Sequence, residues 1–312
     1  LCIFNRPDLT KLAIDNLRTV KPKLLYVSAD GPRPGNVSDA TNCKEVRNQV
    51  ELIDWPCQVE TRFSESNKGC GLAVSEALQW FFENEEAGII LEDDCLPHPD
   101  FWRFCGELLD KYANDERVFM ISGDNFQEGK RVNEDSYYVS ALTHIWGWAA
   151  WRRSWQKVDL DLSGYDEWVQ RGGLKGLFGP GRWERAWKRT FERYRQGRYN
   201  TWDYPFLFAA WKHGQYALLP SVNLVSNIGF GHQGATHTTT DVYHGLSRIS
   251  MEAMPFPMRH PNQWKHQQKA DIRTLRTKMF PSPALKLWRL LIFKLHRYGG
   301  LSFLFVRARR SS

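Results

Sequence analysis

The chain is poor in the patterns that mark small stapled or metal-bound domains. Its 312 residues include six cysteines, Cys2, Cys43, Cys57, Cys70, Cys95 and Cys105. They form no CxxC pair and show no Cys/His ligand spacing, so neither a structural zinc nor a disulfide framework is expected. Reduced thiols in a cytoplasmic protein are the reading this spacing supports. No run of about 18 apolar residues occurs, which leaves no candidate transmembrane helix, and no signal peptide is visible. The chain opens abruptly on "LCIF", as though its first strand had been cut, so the sequence is expected to be a fragment. Internal repeats and low-complexity tracts are also missing. With 42% hydrophobic and 14% aromatic residues, the chain can bury a large core, as one big α/β domain or as a domain with an appendage.

Acids are scarce only at one end. Residues 255–312 carry thirteen Lys/Arg against one acid, a net +12, which leaves −5 for residues 1–254 out of the overall +7. Within that tail, "ALKLWRLLIFKLHRYGGLSFLFVRARR" places Leu287, Leu290, Leu291, Lys294 and Leu295 at roughly helical spacing, with aromatic residues among the cations. Such a helix suits the surface of an anionic membrane, and the protein is then peripheral at the inner face. The alternative is a C-terminal helix packed on the domain with a solvated basic face. No nucleic-acid recognition motif accompanies the charge, so nucleic acid is not an expected partner. The chain divides on this reading into a domain over 1–250, with a nucleotide-binding half to about 125 and an acceptor half after it, and a basic aromatic extension over 251–312.

The front half alternates short apolar runs with amphipathic stretches, the pattern of βα units around a mostly parallel sheet flanked by helices. Strands are expected at "LCIFN", "KLLYVSADGP", "QVETRFS", "AGIILEDD" and "VFMISGDN", and helices at 7–20, 39–53, "GLAVSEALQWFFEN" and "PDFWRFCGELLDKYAN". A tryptophan-rich region of less regular pattern follows. In an open α/β sheet, ligands bind outside the carboxyl ends of the strands. Here that edge gathers Asn5 and Arg6, Asp30, the "NKGCG" turn, and Glu92, Asp93 and Asp94. One cation among several acids suits a phosphorylated ligand held partly through Mn²⁺ or Mg²⁺, which prefer oxygen ligands and need only one or two carboxylates when shared with a diphosphate. The plainer alternative is a solvated strand end or a helix N-terminus, which acids favour.

Five segments in chain order sharpen this. The sequence resembles the GT-A glycosyltransferases, and among them the β-1,2-N-acetylglucosaminyltransferase I-like family, which acts on mannose of glycoproteins, and its bacterial relatives. "FNRP" is similar to the family's first-strand Asp-Arg segment, "VSADG" to its second-strand segment and "ILEDD" to its EDD motif. "TWDYPF" is similar to the segment bearing the catalytic base, and "SNIGFGHQGATH" to the phosphate-covering loop. The resemblance implies that Arg6 holds the nucleotide or diphosphate and that Asp30 reads the uracil base. It implies Asp94 as the metal ligand, Glu92 and Asp93 at the sugar, ribose or metal-bound waters, and Asp203 as the base. Where the family carries a nucleotide-contacting histidine this chain has Asn67 and Lys68, and its "WDD" is here "WDY".

The chemistry can be set out without the family. Sugar transfer from a nucleoside diphosphate needs a cation for the departing diphosphate, a base for the acceptor hydroxyl and a pocket shielded from water. Asp203 on the far side of the anomeric carbon gives in-line attack and inversion; its other role is to cap a helix beginning near Pro205. Trp146 and Trp202 are candidate pocket walls, and Gly147 would let the backbone approach a ligand. The glycine-rich loop around Gly229, Gly231 and Gly234 suggests a flap that brings His237, or less directly His232, to the diphosphate. The expected function is a metal-dependent, inverting glycosyltransferase using a nucleotide sugar, UDP-linked, and a glycan or lipid-linked acceptor in a cell-surface polysaccharide pathway. Two alternatives are a nucleotidyltransferase, against which stands the lack of a glycine-rich loop in "FNRPDLTKL", and a non-catalytic membrane-surface or carbohydrate-binding protein.

Overall fold

A computed structural model describes residues 1–232 and 244–297. Pro7 at the first helical position and Asp8 in the first turn start α1 (Pro7–Val20), whose Leu9, Ala13, Ile14 and Leu17 recur at helical spacing and are buried. It follows β1 (Cys2–Ile3) and precedes β2 (Leu24–Ala29), α2 (Val37–Asn48), β3 (Gln58–Phe63) and α3 (Cys70–Asn84). Then come β4 (Ala87–Ile90), β5 (Cys95–Pro97), α4 (Pro99–Lys111), β6 (Val118–Ser122), β7 (Tyr137–Ser140) and β8 (Trp148–Trp151). The tryptophan-rich stretch resolves into β8 and the helices α5 (Arg152–Trp155), α6 (Tyr165–Gln170), α7 (Gly173–Phe178), α8 (Arg182–Arg195) and α9 (Asp203–Lys212). β9 (Tyr216–Pro220), β10 (Val225–Asn227), α10 (Gln268–Thr274) and α11 (Pro283–Arg297) complete the described strands and α-helices.

β1, β2 and β3 form a parallel sheet, and a five-stranded sheet runs in the order β4-β8-β6-β9-β7. Backbone bonds join them: Cys2 donates to the Leu91 carbonyl at 2.9 Å, and Asp93 donates to Cys2 at 3.0 Å. The expected mostly parallel sheet therefore describes the first half of the fold only. In the second half β8 and β7 run antiparallel to their neighbours, and only β6 and β9 pair in parallel. The connections account for β8: it returns to β6 with no crossover helix between them, which parallel pairing requires, whereas α5 to α9 separate β6 from β9.

Both faces are covered. Val118 and Ile121 of β6 pack with Ile14, Leu17, Phe101, Phe104 and Leu108 from α1 and α4. Phe119 and Met120 pack on the other face with Val74, Leu78, Phe82, Trp202 and Phe206 from α3 and α9. A third cluster holds Trp187, Phe191, Phe208 and Trp211 between the later helices. A strand buried on both sides reads as the continuous apolar run "VFMIS". The segment assigned to a basic extension from residue 251 joins this packing: Met254, Met258 and Ala270 are core residues. Buried Asp271 accepts from Ser140 Oγ at 2.6 Å and from the Ala141 amide at 2.9 Å.

Candidate functional site

The carboxyl ends of β1, β2 and β4 open on a cavity of about 350 Å³ lined by Arg6, Asp30, Arg33, Asn67, Glu92, Asp93 and Asn200, among others. That volume falls within the usual range for small-ligand pockets. Arg6 sits at the turn from β1 into α1 and spans two acids. Its Nη2 is ion-paired with Asp93 Oδ1, and its Nη1 donates to Asp94 Oδ2 at 2.8 Å. Burial works against the Arg6 charge, but Asp93 and Asp94 outweigh it and hold the guanidinium protonated. Asp94 is also held at Oδ1 by Asn227 Nδ2 at 3.3 Å. Gly229 closes over it: a β-carbon there would lie 2.3 Å from Asp94 Oδ2.

Three carboxylates thus face one guanidinium in a desolvated place. Burial, then the Asp94 charge, pushes the Glu92 carboxyl up to about 8, with Arg6 opposing. Burial raises Asp93 to about 6 against the pull of Arg6. A divalent cation answers that surplus of negative charge, so the donor chemistry fits Mn²⁺ or Mg²⁺. Among the described residues no three His, Cys, Asp or Glu side chains converge on one point as a metal cage.

Asp30 is placed at this cavity, but its carboxylate is already occupied. Its Oδ1 accepts from the Gly31 amide at 2.8 Å and the Lys68 amide at 2.9 Å. Its Oδ2 accepts from Asn67 Nδ2 at 2.9 Å and the Gly69 amide at 3.1 Å. The side chain therefore pins the turn entering α3. Lys68 directs its ammonium to Glu76, away from the cavity. Asp203 is the first residue of α9 and receives Thr201 Oγ1; Trp202 stands at the cap position, and no side chain caps the helix. The Asp203 charge is felt at Glu92, where it helps to raise that carboxyl. The structure thus brings Arg6, Asp30, Asn67, Glu92, Asp93, Asp94 and Asp203 to one region.

The remaining expected residues make the following contacts. Trp202 is buried and stacked on Trp148 at 5.4 Å, a core contact rather than a pocket wall. Trp146 packs edge-on to Phe126 and Phe230, and its amide donates to buried Asp124 at 2.9 Å. Gly147 has φ +70°, and a β-carbon there would press on Val225 and Leu91. Its lack of a side chain serves the packing behind the acids and the turn itself. His232 pairs with Asp8 at 3.0 Å. His237 lies outside the described residues. Arg33, Asn200, Asn227 and Thr10 were not singled out from sequence. Asn200 directly precedes "TWDYPF" and Asn227 lies within "SNIGFGHQGATH", and both gain meaning only once distant segments meet.

No protein-family model matches this chain, and no curated protein matches it. Among solved structures, a mannosyltransferase from Pyrobaculum calidifontis in complex with GDP-Man and Mn²⁺ is similar over 68% of each chain, at 15% identity and a TM-score of 0.36. The functional reading accordingly rests on the site.

Proposed function

We propose that this protein is a metal-dependent glycosyltransferase that moves a sugar from a nucleotide-diphosphate sugar, UDP-linked, to a hydroxyl of a glycan or lipid-linked acceptor, with inversion. The observation that carries the reading is the meeting of Arg6, Glu92, Asp93 and Asp94 beside a cavity of about 350 Å³. The nucleoside occupies that cavity, with Asn67, Arg33 and Asn200 on its walls and Asp30 fixing the turn that shapes it. Asp94 and its neighbours would hold the divalent cation, which when bound neutralises charge on the departing diphosphate. Arg6 contributes a second positive charge near the phosphates. Asp203, at the start of α9, accepts the proton of the attacking acceptor hydroxyl. A single displacement of this kind needs no protein nucleophile, and its outcome is inversion.

The test is a thermal titration of UDP, GDP and their sugar conjugates with and without Mn²⁺, on wild type and Asp94→Asn. A ligand at about 100 times its Kd adds about 2.7 kcal/mol to stability by mass action. The expected result is manganese-dependent stabilisation by one nucleotide that the variant loses. Folded wild-type protein that no nucleotide stabilises would sink the reading.

A further inference from the structure

The described part of α11 is anchored on one side and bare on the other. Ser282 Oγ accepts from the Leu285 amide at 3.2 Å, capping its start. Arg289 ties its inner side to the body through the His244 carbonyl at 2.7 Å, the Thr277 carbonyl at 2.8 Å and Glu128 at 3.5 Å. On the outer side Leu287, Trp288 and Leu291 are 58%, 56% and 52% exposed. These positions follow the i, i+1, i+4 pattern of one helical stripe, so three large apolar side chains share a face turned to solvent.

Charge indicates what covers that face. From residue 272 to the C-terminus there is no Asp or Glu, while Lys286, Lys294 and Arg297 lie along the same helix. Glu128 is engaged on the inner side with Lys278 at 2.7 Å and with Arg289. A protein partner of ordinary composition gains little from so one-sided a charge, whereas a lipid surface offers an apolar layer beneath a sheet of negative headgroups. Among the described residues no helix is long and apolar enough to cross a membrane, so the geometry is one of lying in the surface. An exposed stripe of Leu and Trp on a helix whose sequence carries cations and no acid has that form.

We propose that α11 docks this protein in the plane of an anionic lipid surface, with Leu287, Trp288 and Leu291 at the acyl boundary and the neighbouring cations among the headgroups. The docking goes beyond the transfer activity and stands or falls without it. It has a geometric consequence, because Leu285, Trp288 and Arg289 also line a cleft of about 680 Å³ whose far walls carry Asn125, Asn223 and Ser250. Docking places that polar cleft beside the headgroups.

The experiment is sedimentation of the full chain with phosphatidylcholine vesicles, with or without about 30% phosphatidylglycerol, at low and high salt. The probe is the vesicle itself, with no nucleotide or metal added. Wild type is expected to partition onto the anionic vesicles, and salt should weaken it. Leu287→Ser/Leu291→Ser should partition about tenfold less, because it removes two of the three inserting side chains. Lys286→Glu should partition several-fold less through charge alone. All three substitutions lie at exposed or half-exposed positions, and an unchanged melting temperature confirms the fold. Failure of wild type to bind anionic vesicles at low salt would overturn the proposal. So would a Leu287→Ser/Leu291→Ser protein that partitions like wild type, which would reduce the interaction to charge and admit any polyanion, nucleic acid included.

Discussion

Arg6→Met is the sharpest perturbation of the site, because a single guanidinium balances two buried acids. The Arg6 side chain is 12% exposed, and those of Asp93 and Asp94 are 2% and 8% exposed, so little solvent screens the pair. Methionine keeps much of the apolar stem and removes the charge. Removing one partner of a buried ion pair costs about 3–5 kcal/mol, chiefly through the charge left behind. Here two carboxylates are left beside Glu92. The expected loss is therefore near the upper end, about 4–5 kcal/mol at neutral pH. In urea unfolding, with a slope of about 3 kcal/mol/M, the midpoint falls by about 1.5 M. Lowering the pH should recover part of that, because burial already raises the Asp93 carboxyl and losing Arg6 removes the charge that opposes it, so the folded chain takes up that proton before the unfolded chain. A midpoint within about 0.3 M of wild type at neutral pH would refute the claim that Arg6 balances these acids.

Two further outcomes follow from neighbouring groups. Asp30→Ala leaves the Lys68 and Gly69 amides without their acceptor and should lower stability by about 2–4 kcal/mol; faster hydrogen exchange at those two amides identifies the cause, and unchanged protection there would contradict it. His144 is buried and stacked on Phe126 at 4.3 Å, and burial pushes its pKa down to about 3. The unfolded chain then binds the proton first, so this residue costs stability as pH falls below about 6.5. His144→Phe should retain up to about 3 kcal/mol more than wild type at pH 4, and parallel acid-denaturation curves for the two proteins would count against it.

The elements that were legible in the sequence are those specified locally. α1 reads from Pro7, Asp8 and the spacing of Leu9, Ala13, Ile14 and Leu17, and the structure bounds it where the pattern does. α4 likewise follows from Pro99 and its apolar stripe. β5, three residues long, and β10, its antiparallel partner 128 or more residues away in the chain, carry no local pattern long enough to recognise. β7 and β8 were hidden by aromatic residues whose hydrophobicity fits strand, helix or core equally well. The acids of 92–94 and Arg6 were legible because each ends a strand run at one sheet edge. The occupation of Asp30 by the turn after β3 was not, since a carboxylate aimed at a ligand and one aimed at backbone amides look the same in one dimension.

The pairing of β5 with β10 has a mechanical consequence. Residues 95–97 leave directly from Asp94, and they lie against residues 225–227, which lead directly to Gly229. The Ile228 amide donates to the Asp94 carbonyl at 2.8 Å, and Asn227 reaches the same residue's carboxylate. The stem of the glycine-rich loop and the acid beneath it therefore share one hinge plate. A displacement of that stem therefore carries Asp94 with it through the backbone itself, without a relay of intervening side chains.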